Sequence, residues 1–363
     1  MKVIFFCSYY PAYLDHLYQK NPGLSKETYE SQLNFFNEDF FTDWSSYAKY
    51  LKAMGVESHL IIPNCRPLQY AWAKENNFKI HGSDWLYSIP LEQVKKINPE
   101  LFYISSMFEY YGEFLTAIKK YTKKIFGWIS CEIPNKLDLS QFDLILTSLP
   151  YFVQNFKDQG INSELTTASF DAAILKRLNK EEPRDIDFSF IGSLTSAHSK
   201  RVKLIKQLIE NTPLVVYGAG MNALEGKKNF IQRKFRPSIY RQRYKGAAWG
   251  LDMYKILSKS KITFNAHIDI SKEFIGNMRT FEATGSGTLL LTDGKNAPIK
   301  LFNDHEVVYY ESIDDAIEKV NYYLRNDEER IDIAQRGQIK TLSEFNAEKS
   351  AKKLYDFFES YLK

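Results

Sequence analysis

Short apolar runs alternate with amphipathic stretches along almost the whole chain. That rhythm belongs to strands buried on both faces of a parallel sheet with helices between them. In the first half, "KVIFF" (2–6), "SHLIIP" (58–63), "LFYISS" (101–106), "KIFGWIS" (124–130) and "DLILTS" (143–148) read as such strands. Between them, "DWSSYAKYLKAMG" (43–55) carries an apolar helical face and stops on Gly55. Over 170–187 the rhythm lapses into a charged stretch punctuated by Pro183, which reads as a linker. It restarts with "FSFIGS" (188–193), a helix over 197–211, "LVVYGAG" (214–220), "KITFNAH" (261–267), "TLLLTD" (288–293) and "EVVYY" (306–310). Helical stretches over 312–325, 328–342 and 347–362 close the chain. The expectation is an α/β protein of two Rossmann-like domains, over 1–172 and 187–345. A linker over 173–186 joins them, and a last helix over 346–363 follows.

Composition agrees with this picture. A length of 363 residues exceeds one ordinary core and suits two. The net charge of +4 is mild and does not by itself point to nucleic acid. The opening apolar run is short and meets Pro11 and Asp15, so it reads as a first core strand rather than a signal peptide. No run approaches the roughly 18 residues of a membrane span, and a cytoplasmic protein is expected. Cys7, Cys65 and Cys131 form no CxxC, which argues against a disulfide framework or zinc site. The 24 Tyr and 26 Phe suit stacking on sugars or bases, and equally suit a biased composition.

In an open parallel sheet, ligands sit beyond the carboxyl ends of the strands. The unusual residues of the second half stand there: Gly192-Ser193, Gly218-Ala219-Gly220 and His267. Glycines permit close backbone approach, and helix N-termini bind anions. Three such strand ends together point to a phosphate-bearing ligand. There is no GxxxxGK[ST], no GxGxxG, no GxSxG and no HExxH, which removes several nucleotide-binding and hydrolytic classes. In "NMRTFEATGSGTLLLTD" (277–293), Arg279 and Glu282 stand three apart at a helix start, before Gly-Ser-Gly and an apolar strand. Taken alone, that stretch also fits a capped surface helix with an internal Arg–Glu pair.

"FSFIGSLTSAHSKR" (188–201), "AAWGLDMYKILSKSKITFNAHIDIS" (247–271) and "GNMRTFEATGSGTLLLTD" (276–293) resemble the group 1 glycosyltransferases, in the branch related to spore-maturation glycosyltransferases. "TDWSSYAKYLKAMGVESHLIIPNCRPLQYAWAKENN" (42–77) and "DLILTSLPYFVQNFKDQGINSE" (143–164) extend the resemblance to the first half. It implies a GT-B fold, in which the two domains face across a cleft and the last helix crosses back to the first. It also implies transfer of a sugar, such as a hexose, from a nucleotide-diphosphate donor to an acceptor hydroxyl in glycan synthesis. The donor is a substrate, and no cofactor or metal is expected.

Carried over by the resemblance, Glu282 takes the donor's ribose hydroxyls. The amides of Gly285-Ser286-Gly287-Thr288 approach the diphosphate, and Gly192-Ser193 form the first donor-domain turn. Arg279 pairs with phosphate oxygens, with Arg201 a second candidate; Gly218 and His267 join the same set. The upstream acid of the family's two-Glu pattern is Glu273 here, nine positions before Glu282 where the family has eight, which leaves open the orienting residue and the retention of configuration.

On the acceptor side Asp43, Ser105, Ser106, Glu109, Ser130 and Glu132 stand near strand ends of the first domain. Glu132 and Asp43 join Arg279 as catalytic candidates, and Asp43 also reads as a helix first-turn acid. "KKNFIQRKFRPSIYRQRYK" (227–245) is basic and aromatic and contains no acid. It fits a solvated loop beside a diphosphate pocket, or contact with an anionic acceptor or membrane surface; specific nucleic-acid binding is not expected. A glycan, a lipid-linked group or a protein remain open as acceptors. The alternative to an enzyme is a nucleotide- or sugar-binding protein of the same fold, or a nucleic-acid binder using that basic stretch.

Overall fold

The computed structural model describes residues 1–80, 84–134, 137–179, 181–194, 199–225, 238–267, 274–297 and 299–363. The chain divides into two compact units, Met1–Thr167 with Ala347–Lys363, and Ala168–Asn346.

Unit 1 is built on six parallel strands: β1 (Lys2–Phe6), β2 (Glu57–Ile61), β3 (Leu101–Ile104), β4 (Lys124–Trp128), β5 (Leu144–Thr147) and β6 (Ser163–Leu165). Their order is β2-β1-β3-β4-β5-β6. The apolar runs form strands because both faces are covered: β3 and β5 are buried at every position. Aromatic rings fill the layers, with Phe6 against Phe102 at 5.1 Å and Tyr103 against Trp44 at 4.6 Å. The last helix, Ala347–Leu362, belongs to this unit. Its buried positions Ala347, Ala351, Leu354 and Phe358 fall on one stripe at three- and four-residue spacing. Phe358 meets Phe126, Tyr103 and Phe5 with ring centroids 5.6, 6.0 and 6.3 Å away.

Unit 2 has a five-stranded parallel sheet, β13-β11-β9-β7-β8. The strands are β7 (Ile186–Ile191), β8 (Leu214–Tyr217), β9 (Ser260–Asn265), β11 (Leu289–Thr292) and β13 (Val308–Tyr309). A separate parallel pair joins β10 (Phe274–Ile275) to β12 (Ile299–Lys300). Phe188, Phe264, Leu208, Leu289 and Val320 are fully buried at the centre of the core.

The stretch expected as a linker, 173–186, is instead part of unit 2. Phe170 is fully buried against Tyr254 and directly over Gly285, where a Cβ would lie 2.3 Å from the Phe170 ring. Its N–H donates to Phe345 O at 2.9 Å. The guanidinium of Arg184 donates to Ser260 O, Ser286 O and Thr288 Oγ1 at 2.8 to 3.1 Å. Burial pushes Arg184 down to about 10 from its ordinary 12.5. The stretch stays largely exposed, and Arg184 ties it to unit 2 by donating to backbone carbonyls. Among the described residues, no helix is long and apolar enough to cross a membrane.

Candidate functional site

Residues at the carboxyl ends of β9 and β11 organise the site. Asn265 ends β9, and its side-chain amide donates to Thr292 Oγ1 at the end of β11 and to Asn277 Oδ1, both at 3.2 Å. Asn277 Nδ2 returns a bond to Asn265 Oδ1 at 3.0 Å. Asn277 is also the N-cap of helix Met278–Gly285, its Oδ1 accepting from Thr280 N. The reciprocal amide pair therefore fixes the N-terminus of that helix, with its partial positive charge, to the ends of two core strands. Beside it, His267 Nδ1 and Asp293 Oδ1 lie 2.6 Å apart, and the carboxylate also accepts from His267 N at 3.0 Å. Asn277 N points at His267 Nε2 at 3.5 Å, which assigns the ring proton to Nδ1, where it is donated to Asp293.

Two arginines converge on this spot. Arg201 Nη2 donates to Ala266 O at 2.8 Å, just past the end of β9. Arg279 Nη1 donates to Met253 Sδ at 3.0 Å and pairs with Glu282 Oε2 at 2.8 Å. Burial pushes Arg201 below its ordinary value; Asp293 and Tyr310 oppose that push, and the positive charge of Arg279 adds to it. The Nε groups of both arginines are buried and have no hydrogen-bond partner among the described residues. Two buried N–H donors with no partner among the described residues, on neighbouring guanidinium groups, are an arrangement that an anionic ligand satisfies.

The helix carrying Arg279 and Glu282 is not a surface helix. Thr280 through Gly285 are all buried, and Glu282 is 6% exposed. The i,i+3 ion pair read from the spacing is present inside the protein.

Residues 285–288 need a correction. They form the C-terminal end of this helix, and their amides are already used: Ser286 N donates to Glu282 O, Gly287 N to Thr284 O and Thr288 N to Ala283 O, at 2.8 to 3.2 Å. Ser286 Oγ donates to Glu282 O and Thr288 Oγ1 to Leu257 O, while Gln338 Nε2 donates to Gly285 O. An amide committed to a helix cap has no proton left for a diphosphate. The end of this helix that carries the positive dipole is the other one, at Asn277-Met278.

Gly218 is likewise fixed by the backbone. Its φ is +153°, and a Cβ there would stand 1.8 Å from Gly192 O. Gly220 at φ +105° would meet Leu194 O at 2.3 Å. The turns after β7 and β8 cross in contact, and that crossing requires glycine at both positions. Gly192 N donates to Tyr217 O at 2.9 Å, and Gly192 and Ser193 are half-buried beyond β7.

In unit 1, Asp43 opens helix Asp43–Ala53, and its Oδ2 accepts from Tyr47 O–H at 3.0 Å, the arrangement of a first-turn acid. Glu132 lies exposed in the loop after β4. Ser130 Oγ accepts from Ser148 N and Ser148 Oγ at 2.7 and 2.8 Å. A cavity of about 590 Å³ opens at the amino ends of β4 and β5, beside Lys124, Asp143 and Tyr361, and holds none of the candidate residues. Glu273 and 227–237 of the basic stretch lie outside the described residues; Ser238 caps a short helix, Ile239–Arg243.

Sequence reasoning missed Asp293, Asn265, Asn277 and Arg184 as organising residues. Asp293 carried a signal, an acid placed directly after an apolar strand.

With this geometry in view, residues 200–356 match the protein-family model described as glycosyl transferase-like. No curated protein matches the chain. Among similar solved structures is a glycosyltransferase from Rickettsia africae ESF-5, with TM-score 0.61, 12% identity, and 100% of this chain and 98% of that chain covered. Anabaena Alr3699/HepE in complex with UDP-glucose is similar at TM-score 0.59 and 10% identity, covering 99% and 100%. A putative UDP-N-acetylglucosamine 2-epimerase from Listeria monocytogenes is similar at TM-score 0.53 and 12% identity, covering 99% and 96%. The fold is GT-B, with two Rossmann-like units, each on a parallel sheet.

Proposed function

We propose that the protein is a glycosyltransferase that takes a sugar from a nucleotide-diphosphate donor bound by unit 2. The observation that carries this reading is the pair of unmet Nε donors on Arg201 and Arg279 beside the N-terminus of helix Met278–Gly285. The glycosyl transferase-like match over 200–356 covers the same residues, and the similar Anabaena protein holds UDP-glucose.

The residues have distinct tasks in this reading. Arg279 and Arg201 neutralise the diphosphate as it leaves and gathers negative charge, helped by the helix N-terminus. Glu282 accepts the ribose hydroxyls from inside the helix, while its bond to Arg279 keeps both side chains in place before the donor arrives. His267 is held by Asp293 with its Nδ1 proton committed, which leaves Nε2 facing Asn277 at the same rim. The acceptor oxygen attacks the anomeric carbon as the bond to the diphosphate breaks, and the acceptor proton passes to a base or to the departing phosphate. The activity belongs to glycan or glycoconjugate synthesis, with a hexose as the transferred sugar, in the spore-maturation-related branch of group 1 enzymes.

Incubation with UDP-glucose, UDP-N-acetylglucosamine and GDP-mannose, with nucleotide release measured, tests this reading. Release of a nucleoside diphosphate that is lost in Arg279→Ala supports it. Absence of both release and nucleotide binding across the three donors refutes it.

A further inference from the structure

Unit 1 carries a surface that the donor site does not use. Residues 105–112, "SSMFEYYG", follow β3 and fold as a tight turn, with Glu109 N and Tyr110 N both donating to Ser106 O at 3.2 and 3.1 Å. Met107 and Tyr110 are each 1% exposed and pin the turn into the core. Phe108 and Tyr111 are thereby turned outward, 40% and 47% exposed. Tyr110 O–H donates to Leu86 O at 3.2 Å, and Tyr87 O–H donates to Glu109 O at 3.4 Å, tying the turn to helix Trp85–Ile97. Tyr87 is itself 42% exposed. Gln141 brackets Gly112 through both of its amide groups. The rings are thus displayed by a preorganised turn, where loose packing would have let them fold away.

Glu109 stands among them. Ser8 O–H donates to its Oε2 at 2.5 Å, and Ser8 N donates to Ser106 Oγ at 2.5 Å, so the ends of β1 and β3 together orient the carboxylate. The turn contains no lysine or arginine to attract a phosphate. The exposed large hydrophobic side chains of unit 1 among the described residues are all aromatic: Tyr10, Phe35, Tyr87, Phe108 and Tyr111. In unit 2, among the described residues, they are Ile239, Met278, Ile299, Tyr322, Ile331 and Ile339. A lipid would be met equally well by aliphatic side chains. Exposed rings on and beside the turn that carries a hydroxyl-accepting carboxylate suit a sugar, whose C–H faces stack on rings and whose edges donate hydrogen bonds.

We propose that Glu109, with the rings of Tyr87, Phe108 and Tyr111, forms a sugar-binding subsite at the carboxyl end of β3, and that the acceptor is a carbohydrate. The term acceptor rests on the glycosyltransferase reading; the sugar site rests on unit 1 alone.

Saturation-transfer NMR on the full chain, with the methyl glycosides of glucose, galactose and N-acetylglucosamine as probes, tests it. The expected result is saturation of the ring protons of at least one probe in the wild type. That signal is lost in the Phe108→Ala/Tyr111→Ala double variant, whose folded state is verified by its thermal melt. Glu109→Gln weakens binding by about tenfold, one charge-assisted hydrogen bond. No saturation of any probe in the wild type, or undiminished saturation in the double variant, overturns the proposal. A parallel titration with UDP separates the two readings: sugar binding without UDP binding removes the donor site and leaves this subsite, and the reverse removes this subsite alone.

Discussion

Arg279 Nη1 lies 2.8 Å from Glu282 Oε2 one turn along the same helix, with the two side chains 15% and 8% exposed. The pair is both a structural tie inside unit 2 and the proposed contact to the donor. Removing one partner leaves a buried charge uncompensated, which costs about 3 kcal/mol or somewhat more. Arg279→Ala is therefore expected to lower unfolding stability by about that amount, and Arg279→Ala/Glu282→Ala by less than the sum of the single changes. Urea unfolding of the three variants measures this. Additive losses would show that the two side chains do not interact in solution.

The crossing of the turns after β7 and β8 makes a separate prediction. Gly218→Ala places a Cβ 1.8 Å from Gly192 O at φ +153°. Gly160→Ala, at φ +74° with nothing within 4 Å, meets the conformational penalty alone. The second change is expected to cost about 1 to 2 kcal/mol and the first clearly more. Thermal melts compare them; equal losses would mean that the two turns are not in contact.

Alkaline pH should unfold the protein early. Burial pushes the Cys7 thiol up to about 12 and the Cys65 thiol up to about 11, from an ordinary 9.0. Burial also holds Tyr9, Tyr103 and Tyr110 well above their ordinary 10.0. Each folded pKa is raised, so the stabilisation is complete below the unfolded values near 9 to 10 and is lost as pH climbs toward the folded ones. Unfolding free energy should fall steadily from about pH 8 to about pH 11. A flat profile across that window would contradict the burial of these groups.

Activity is expected to survive chelation, because the charge on the leaving diphosphate is met in this reading by Arg201, Arg279 and a helix N-terminus. Nucleotide release measured with and without EDTA decides the point. Loss in EDTA that Mg²⁺ or Mn²⁺ restores would assign the diphosphate to a metal ion.

The sheets were legible because strands buried on both faces are written as unbroken apolar runs; β1 spans Lys2–Phe6, the whole of "KVIFF". β6 escaped because Ser163–Leu165 is a three-residue edge strand with no apolar run. The linker reading failed at Arg184, whose carbonyl partners lie 76 and 102 residues away, beyond any local pattern. At 285–288 the helix start before the glycines was legible, and the commitment of their amides to the helix end was not. Glycines next to a helix fit a phosphate-binding N-terminus or a C-cap equally well, and only the Asn277 cap shows which end is which. Arg279 and Glu282 were legible as a pair because i,i+3 spacing is local. Their helix packs against helices Gly250–Lys259 and Asp327–Glu344, with Met253 of the first meeting Arg279, and a window on that helix contains neither.

Calorimetric titration of UDP and GDP into the wild type, Glu282→Ala and Glu282→Gln tests the donor-site reading most directly. Glu282→Gln keeps a hydrogen-bonding partner for Arg279 and guards against a folding defect in the alanine variant. The expected result is binding of one nucleotide by the wild type. Loss of a charge-assisted pair worth roughly 1.5 to 3 kcal/mol should weaken it about 10- to 100-fold in Glu282→Ala. Unchanged affinity in a folded Glu282→Ala protein would contradict the placement of the nucleotide at this helix, and with it the proposed function.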